Sequence, residues 1–249
     1  MGLLFRLVLA ALVSVLVACG DGPARAVSEV RRIAVVPVAG ETMQLARVGQ
    51  LPFANRRAQL DVSDWDLRDE TYLAVKDVLE RSGRYAVSRL DASPDVFPAL
   101  HAAAGQGACS DRNARRELSR LADLCACDAM LLIIDDRRQL DTDGAQYFQG
   151  YSWVGQAGVA GSAVSATQVV VALRAVLVDA RTQRVIAERR NDEPGGYPGV
   201  PRGPVDARWW PADMASVGQE ERARLEPLFV SLTQDTVRRA VQGTGLLAR

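Results

Sequence analysis

The order of secondary structure is decided by residues 113–134, which read NARRELSRLADLCACDAMLLII. In the first part of this stretch, apolar residues recur at helical spacing with arginines opposite them, which predicts an amphipathic helix over residues 113–125. Residues 129–134 are all apolar, as is typical of a strand that is covered on both faces. A helix that leads directly into a buried strand indicates an α/β protein.

Two strands and another helix precede this stretch. Residues 33–38 and 85–90 predict short strands, the first from its β-branched side chains. Between them, residues 66–81 carry apolar side chains at 3.6-residue spacing, acidic residues in the first turn and an arginine in the last, which predicts a helix. This alternation of strands and helices implies right-handed crossovers and a mainly parallel start to the sheet.

The remaining segments predict hairpins, connections and a long closing helix. They are two short strands at 43–48 and 58–62, a connection through Pro94 and Pro98, a β-hairpin of 168–179 and 184–190, a surface loop at 193–211 and an amphipathic helix over 219–241. The prediction is a single α/β domain over residues 31–245. Its mixed sheet has a parallel βαβ start and an antiparallel hairpin, with the C-terminal helix packed on it.

The N-terminus has the features of an export signal. Residues 1–18 contain one positive side chain, Arg6, followed by an apolar run over residues 7–18. Twelve helical residues span about 18 Å, well short of a hydrocarbon core of roughly 30 Å. The segment therefore predicts a signal peptide rather than a membrane-spanning anchor.

The end of this signal, Leu16-Val-Ala-Cys-Gly20, resembles the lipobox of bacterial lipoproteins. The resemblance implies cleavage after Ala18 and attachment of acyl chains such as palmitate to Cys19, which makes the lipid bilayer a partner. Gly20 stands where lipoproteins kept in the inner membrane typically have Asp, so the resemblance implies the outer membrane, facing the periplasm. Residues 19–30 are small and polar and predict a flexible tether.

Composition and motifs argue against several classes of function. The 249 residues include 30 basic and 30 acidic side chains, without the basic excess of a nucleic-acid-binding protein. No HExxH, phosphate loop, dinucleotide fingerprint or Gly-x-Ser-x-Gly elbow occurs. Asp135 and Asp136 are neighbours after a strand, so their side chains point apart and are not expected to act as a pair. The sequence predicts no catalysis, no cofactor and no metal site.

Three cysteines follow the lipobox. In an oxidising periplasm a disulfide is expected among Cys109, Cys125 and Cys127, and pairing of Cys109 with either of the others would close a loop of about 17 residues. A zinc site that adds His101 is the alternative, but Cys-x-Cys lacks the usual zinc-knuckle spacing.

Two aromatic segments are candidates for contact with a partner. Residues 145–163 hold Tyr147, Tyr151 and Trp153 before three glycines, and this pattern lacks the clean apolar side of a membrane-spanning strand. It predicts a mobile flap or partner-contact loop, with a strand extension and glycine-rich turn as the alternative. Trp209-Trp210 is either an exposed recognition patch or a pair packed over the sheet.

The order of elements resembles the domain shared by the curli-secretion lipoprotein family, the TolB N-terminal domain and the penicillin-binding-protein activator lipoproteins. The resemblance is carried by Arg32-Ile-Ala-Val-Val-Pro-Val38, by residues 122–134 and by Val178-Asp-Ala-Arg-Thr-Gln-Arg-Val185. The long segment 41–64 and Cys125-Ala-Cys127 depart from the well-described members. The anchor signal and the absence of catalytic motifs predict a non-catalytic lipoprotein that binds another protein, and the resemblance implies an accessory factor of envelope assembly.

Two alternatives come from other classes of protein. One is a subunit of an oligomeric outer-membrane export channel, which would assemble with copies of itself. The other is an envelope hydrolase that uses acidic residues, and a ligand-sized cleft lined by an Asp or Glu of raised pKa would favour it.

Overall fold

The computed structural model describes residues 24–49, 55–106, 112–139, 147–157, 164–190 and 202–247. Within these ranges the strands are β1 (Arg32–Pro37), β2 (Thr42–Val48), β3 (Arg56–Asp61), β4 (Ala86–Arg89), β5 (Ala129–Asp135), β6 (Arg137–Gln139), β7 (Tyr147–Ala157), β8 (Val164–Asp179), β9 (Val185–Arg190) and β10 (Arg202–Val205). The helices are α1 (Leu67–Glu80), α2 (Phe97–Gln106), α3 (Arg112–Leu124) and α4 (Gln219–Gly243). The predicted single mixed α/β domain is confirmed.

The sheet is organised around β8, which has 16 residues and pairs with four other strands. Its C-terminal half lies in the order β9-β8-β5-β1-β4, and its N-terminal half in the order β10-β8-β7-β2-β3. The pairs β1–β4 and β1–β5 are parallel, and β8–β9 is an antiparallel hairpin, as the sequence predicts.

Strands β5 and β7 lie end to end along β8. Asp135 at the end of β5 pairs with Leu173, and Gly150 in β7 pairs with Ala172, the next residue of β8. Strand β6, which follows β5, pairs antiparallel with the first residues of β7. The Gly150 N–H donates to the Asp136 carbonyl at 3.1 Å, which joins the end of β5 to β7. The two halves of the sheet therefore meet at Asp135 and Gly150.

One face of the sheet is covered by α1 and α4. Their apolar stripes pack on alternate residues of β2, β5, β7 and β8 in one cluster. Phe229 of α4 is fully buried, with its ring centroid 5.7 Å from that of Trp65 and 5.9 Å from that of Tyr151. Helices α2 and α3 cover the other face at β1, β5 and the end of β8, through Leu100, Leu118 and Leu121.

Three segments differ from the sequence prediction. The connection through Pro98 contains helix α2, because a proline in the first helical turn lacks only an N–H that has no partner within the helix. The predicted loop at 193–211 contains β10, in which Pro204 is tolerated because β10 pairs only with β8 in the described chain. The predicted flap at 145–163 contains β7, which is paired with β2 and β8.

The second half of the predicted tether is attached to the domain. The Arg25 guanidinium lies 3.0 Å from Asp128, and the Arg25 N–H donates to Asp179 at 2.8 Å. Val30 is fully buried. The expectation of a flexible tether over 19–30 is therefore corrected for residues 25–30, because two carboxylates and the core hold them.

No helix in the described ranges is both long and apolar enough to cross a membrane. The signal peptide predicted over residues 1–18 lies outside the described residues, as do Ala18 and Cys19.

Candidate functional site

Two cavities lie on either side of β3 and share Arg57 and Ala58. Strand β3 pairs only with β2 among the described strands, so it forms an edge of the sheet. Its side chains alternate between the two faces, and Ala58 faces the main core, opposite Leu45. Arg57 and Gln59 therefore point to the other face, and β3 separates the two cavities.

The larger cavity is a groove of about 610 Å³, which we call the arginine groove. Its polar rim is Arg47, Arg56, Arg57 and Asp213, and its apolar lining includes Trp210 and Met214. Arg47 and Arg56 lie directly opposite each other in the β2–β3 register. Together with Arg57 they give the groove three guanidinium groups against one carboxylate, and a guanidinium binds a carboxylate through charge-assisted hydrogen bonds. The groove is therefore suited to an anionic ligand.

Trp210 is held in the wall of this groove by two contacts. Its ring lies edge-on to Trp153 at a centroid distance of 5.0 Å. It also lies against Gly155, where an added Cβ would come within 2.7 Å of the indole ring. A half-buried tryptophan fixed in this way presents a rigid apolar surface beside the arginines.

The smaller cavity has a volume of about 400 Å³ and lies where the two halves of the sheet meet; we call it the Asp135 cavity. Its polar side chains are Thr42, Gln44, Arg57, Gln59, Asp135 and Gln149. They come from β2, β3, β5 and β7, so only the strand register brings them together.

The Asp135 carboxyl group is the most perturbed acid of the described chain. Although the residue is partly exposed, its Oδ1 atom is enclosed and has no hydrogen-bond partner among the described residues. Burial without a donor disfavours the charged form and raises the pKa of Asp135 to about 7. The Oε1 atom of Gln44, which lines the same cavity, is likewise enclosed and without a partner there. The cavity thus presents two acceptor oxygens that lack a donor.

Gly150 allows the carboxyl group to occupy this position. Its φ is +57°, which disfavours any side chain, and a Cβ built on it would lie 2.3 Å from Asp135 Oδ1. Glycine is therefore required at position 150 both by backbone conformation and by the close approach of Asp135.

The structure corrects part of the predicted partner-contact set. Tyr151 and Trp153 are 1% and 0% exposed, so they cannot contact a partner in this state. They face the main core because β7 is an internal strand whose odd-numbered residues point toward α4. Trp209 and Trp210 are half-buried, and the Arg224 guanidinium lies 5.2 Å from the Trp209 ring centroid. The Tyr147 side chain lies outside the described residues.

The disulfide expected among the three cysteines joins Cys125 to Cys127, a pairing that the sequence left open. The segment between α3 and β5 brings their Cα atoms to 5.1 Å, within the range that a disulfide requires. Cys109 lies outside the described residues.

Titratable and metal-ligating side chains are sparse around the two cavities. The described ranges contain no group of three or more His, Cys, Asp or Glu residues that could hold a metal ion. His101 lines neither cavity, and its pKa is lowered by burial and by the positive charge of Arg174. Asp135 is the only acid among the described residues that line its cavity.

Sequence reasoning missed the arginines of the groove. The Arg56-Arg57 pair at the start of a short strand was a local signal, but its partner Arg47 became apparent only from the β2–β3 register. Asp135 was noted in the sequence, whereas its cavity depends on residues up to 107 positions apart, Thr42 and Gln149.

Comparisons with known proteins give no family. No protein-family model and no curated protein matches the chain. Protein XCC0632 from Xanthomonas campestris, described with the family model DUF330, is 15% identical with a TM-score of 0.39, over 91% of this chain and 89% of that chain. The hypothetical protein CT253 from Chlamydia trachomatis is 12% identical with a TM-score of 0.35, over 88% and 98%. Lipoprotein GNA1162 from Neisseria meningitidis is 16% identical with a TM-score of 0.32, over 80% and 97%. With TM-scores below 0.5, these likenesses assign neither a family nor a function.

Proposed function

We propose that the chain is a non-catalytic envelope lipoprotein, anchored in the outer membrane through acylated Cys19, whose domain binds another envelope protein. The observation that carries the proposal is the arginine groove, in which three arginines and one carboxylate, Asp213, surround Trp210. The occupant we assign to it is an acidic segment of a partner protein.

The composition of the groove supports a protein partner. Arginine forks bind carboxylates with two parallel hydrogen bonds, and Arg and Trp are the side chains enriched among residues that dominate binding energy at interfaces. Met214 adds a deformable apolar contact. An acidic segment that also carries an apolar side chain would match both parts of this lining.

The position of the groove supports a partner away from the anchoring membrane. Arg25 is attached beside Asp179, the last residue of β8, whereas Val164, the first residue of β8, lines the groove. Sixteen residues of strand cover about 50 Å. The chain from Cys19 to Arg25 can reach at most about 20 Å. An acylated Cys19 therefore holds the Asp179 end of the domain near the lipid and the groove far from it.

The anchor is tested by replacing its acceptor residue. We expect a Cys19→Ala variant to lose the acyl chains and to move from the membrane fraction to the soluble periplasmic fraction or to remain as an uncleaved precursor. Mass spectrometry of the wild-type N-terminus should show acyl chains on Cys19, with two or more chains needed for stable attachment. An unmodified wild-type N-terminus, or a mature Cys19→Ala protein that remains equally membrane-bound, would contradict the anchor.

The groove is tested by crosslinking in cells and charge reversal. A photo-crosslinking residue at the exposed groove position Ala212 should yield one discrete adduct, and Arg56→Glu should reduce that adduct about tenfold because it repels an acidic segment. Two matched controls lie on α3: Arg116→Glu should leave the adduct unchanged, and a crosslinker at exposed Leu124 should not form it. An adduct that survives Arg56→Glu, or that Leu124 forms equally well, would refute the groove as the binding surface.

The two alternative functions are supported to different degrees. The Asp135 cavity meets the criterion for a hydrolase in part, because it is ligand-sized and contains an acid of raised pKa. Hydrolysis by carboxyl groups normally requires a second acid, and the described lining has only Asp135. The channel subunit remains a prediction, and β7 adds nothing to it because both of its edges are already paired.

A further inference from the structure

The Asp135 cavity is equipped for a ligand that the arginine groove does not explain. Asp135 Oδ1 and Gln44 Oε1 are both enclosed and have no donor among the described residues. Buried acceptors normally have a hydrogen-bond partner, so two unpartnered oxygens that line one cavity require an explanation. A bound ligand could supply the hydrogen-bond donor that these two oxygens lack.

A primary ammonium group matches these two acceptors in charge and in its number of donors. It carries three N–H bonds and a positive charge, so one group can serve Gln44 Oε1 and the carboxylate of Asp135 together. It would also keep Asp135 ionised, which enclosure of the carboxyl group by protein otherwise disfavours. A neutral hydroxyl group has a single hydrogen and no charge, so it would leave one of the two oxygens without a donor.

The opposite charge is supplied by Arg57. Its guanidinium lines the same cavity and, among the described residues, has no ion-pair partner. Because the side chain is exposed, it can turn toward a carboxylate at the mouth of the cavity. A volume of about 400 Å³ is within the range of small-molecule sites.

We propose that the Asp135 cavity binds a small zwitterion of the amino-acid type, with its ammonium group between Asp135 and Gln44 and its carboxylate at Arg57. Gly150 is part of this site because it leaves room for the Asp135 carboxyl group above its Cα atom. Asp135 and Gln44 line only this cavity, whereas Arg57 lines both it and the arginine groove, so only the ammonium half of the site is separate from the proposed protein partner.

The test is calorimetric titration of the full chain in detergent micelles at pH 7. The probes are the linear ω-amino acids from glycine to 6-aminohexanoate, with butylamine and butyrate as single-charge controls. We expect one chain length to bind best, about tenfold more tightly than butylamine, because only the zwitterion contacts both Asp135 and Arg57. Butyrate should not bind.

Three variants assign the contacts. Asp135→Asn should weaken binding of the best amino acid and of butylamine by about tenfold or more, while the protein remains folded, as shown by its circular dichroism spectrum. Arg57→Gln should make the amino acid and butylamine bind equally. Arg56→Gln, which changes the groove and not this cavity, should alter neither affinity.

The outcomes separate this inference from the proposed function. Absence of binding by every amino acid and by butylamine at millimolar concentration would overturn it, as would unchanged binding in Asp135→Asn. Equal binding of butylamine and the best amino acid to the wild type would overturn the zwitterion and the role of Arg57. None of these results changes the crosslink from Ala212, and loss of that crosslink leaves the titration unaffected.

Discussion

Replacing Asp135 with asparagine is expected to increase the free energy of unfolding at pH 8 by up to about 4 kcal/mol. In the folded chain the pKa of Asp135 is raised from 3.8 to about 7, whereas in the unfolded chain the carboxyl group titrates at its ordinary value. Between pH 4 and pH 7 the folded state therefore holds a proton that the unfolded state has lost. Wild-type stability falls over this interval by about 1.4 kcal/mol per pH unit, and asparagine removes that loss.

Urea denaturation of both proteins from pH 4 to pH 8 measures this effect. The two free energies of unfolding should converge near pH 4 and diverge as the pH rises. Asp128 and Asp179 have pKa values lowered by backbone N–H donors, so the stability that they contribute is lost only when acid protonates them. This loss is the same in wild type and in Asp135→Asn, so it does not affect the comparison. Asp95→Asn at an exposed position should remain within about 0.5 kcal/mol of wild type. Parallel pH profiles for wild type and Asp135→Asn would disprove the raised pKa.

The second large effect is expected at Trp153. Its side chain is fully buried between the core and Trp210, so Trp153→Ala should lower the free energy of unfolding by about 3–5 kcal/mol through lost contacts and a cavity. Trp153→Phe should lose much less, because it keeps an aromatic ring and the indole N–H has no partner among the described residues. Chemical denaturation at pH 7 compares the three proteins.

Trp209→Ala is the matched control for this prediction. Trp209 is half-buried, and its ring contact with Arg224 is exposed to water, so the expected loss is about 1 kcal/mol. If Trp153→Ala lowered the free energy of unfolding no more than Trp209→Ala, Trp153 would not be a core residue, and the prediction that it contacts a partner would regain support.

The elements that the sequence predicted well are those with a strong local period. Helices α1 and α4 were expected at 66–81 and 219–241 and are found at Leu67–Glu80 and Gln219–Gly243. The apolar residues that recur at helical spacing in both sequences are the ones buried in the main core cluster. Strand β5 was predicted from a continuous apolar run, because a strand covered on both faces needs no polar side.

Strand β7 could not be predicted in this way. Its core-facing residues, Tyr151 and Trp153, alternate with Gly150 and Ser152, and this pattern suits either a mobile loop or a paired strand. The choice depends on pairing with β2, whose residues are 108 positions from their partners in β7, and with β8, the next strand of the chain. The candidate site could not be predicted for the same reason. The pKa of Asp135 is raised because other strands enclose its carboxyl group, and the sequence alone does not show which strands these are.

The end-to-end arrangement of β5 and β7 has a consequence for how this protein can change. The polypeptide departs after Asp136 and returns at Gly150, adjacent points joined by one backbone hydrogen bond. Lengthening a closed excursion costs little entropy, about 0.6 kcal/mol for each doubling. The segment can therefore be extended, shortened or exchanged for a foreign module while every other ladder keeps its register, which makes it the natural place for evolution or engineering to graft a new specificity beside the cavity.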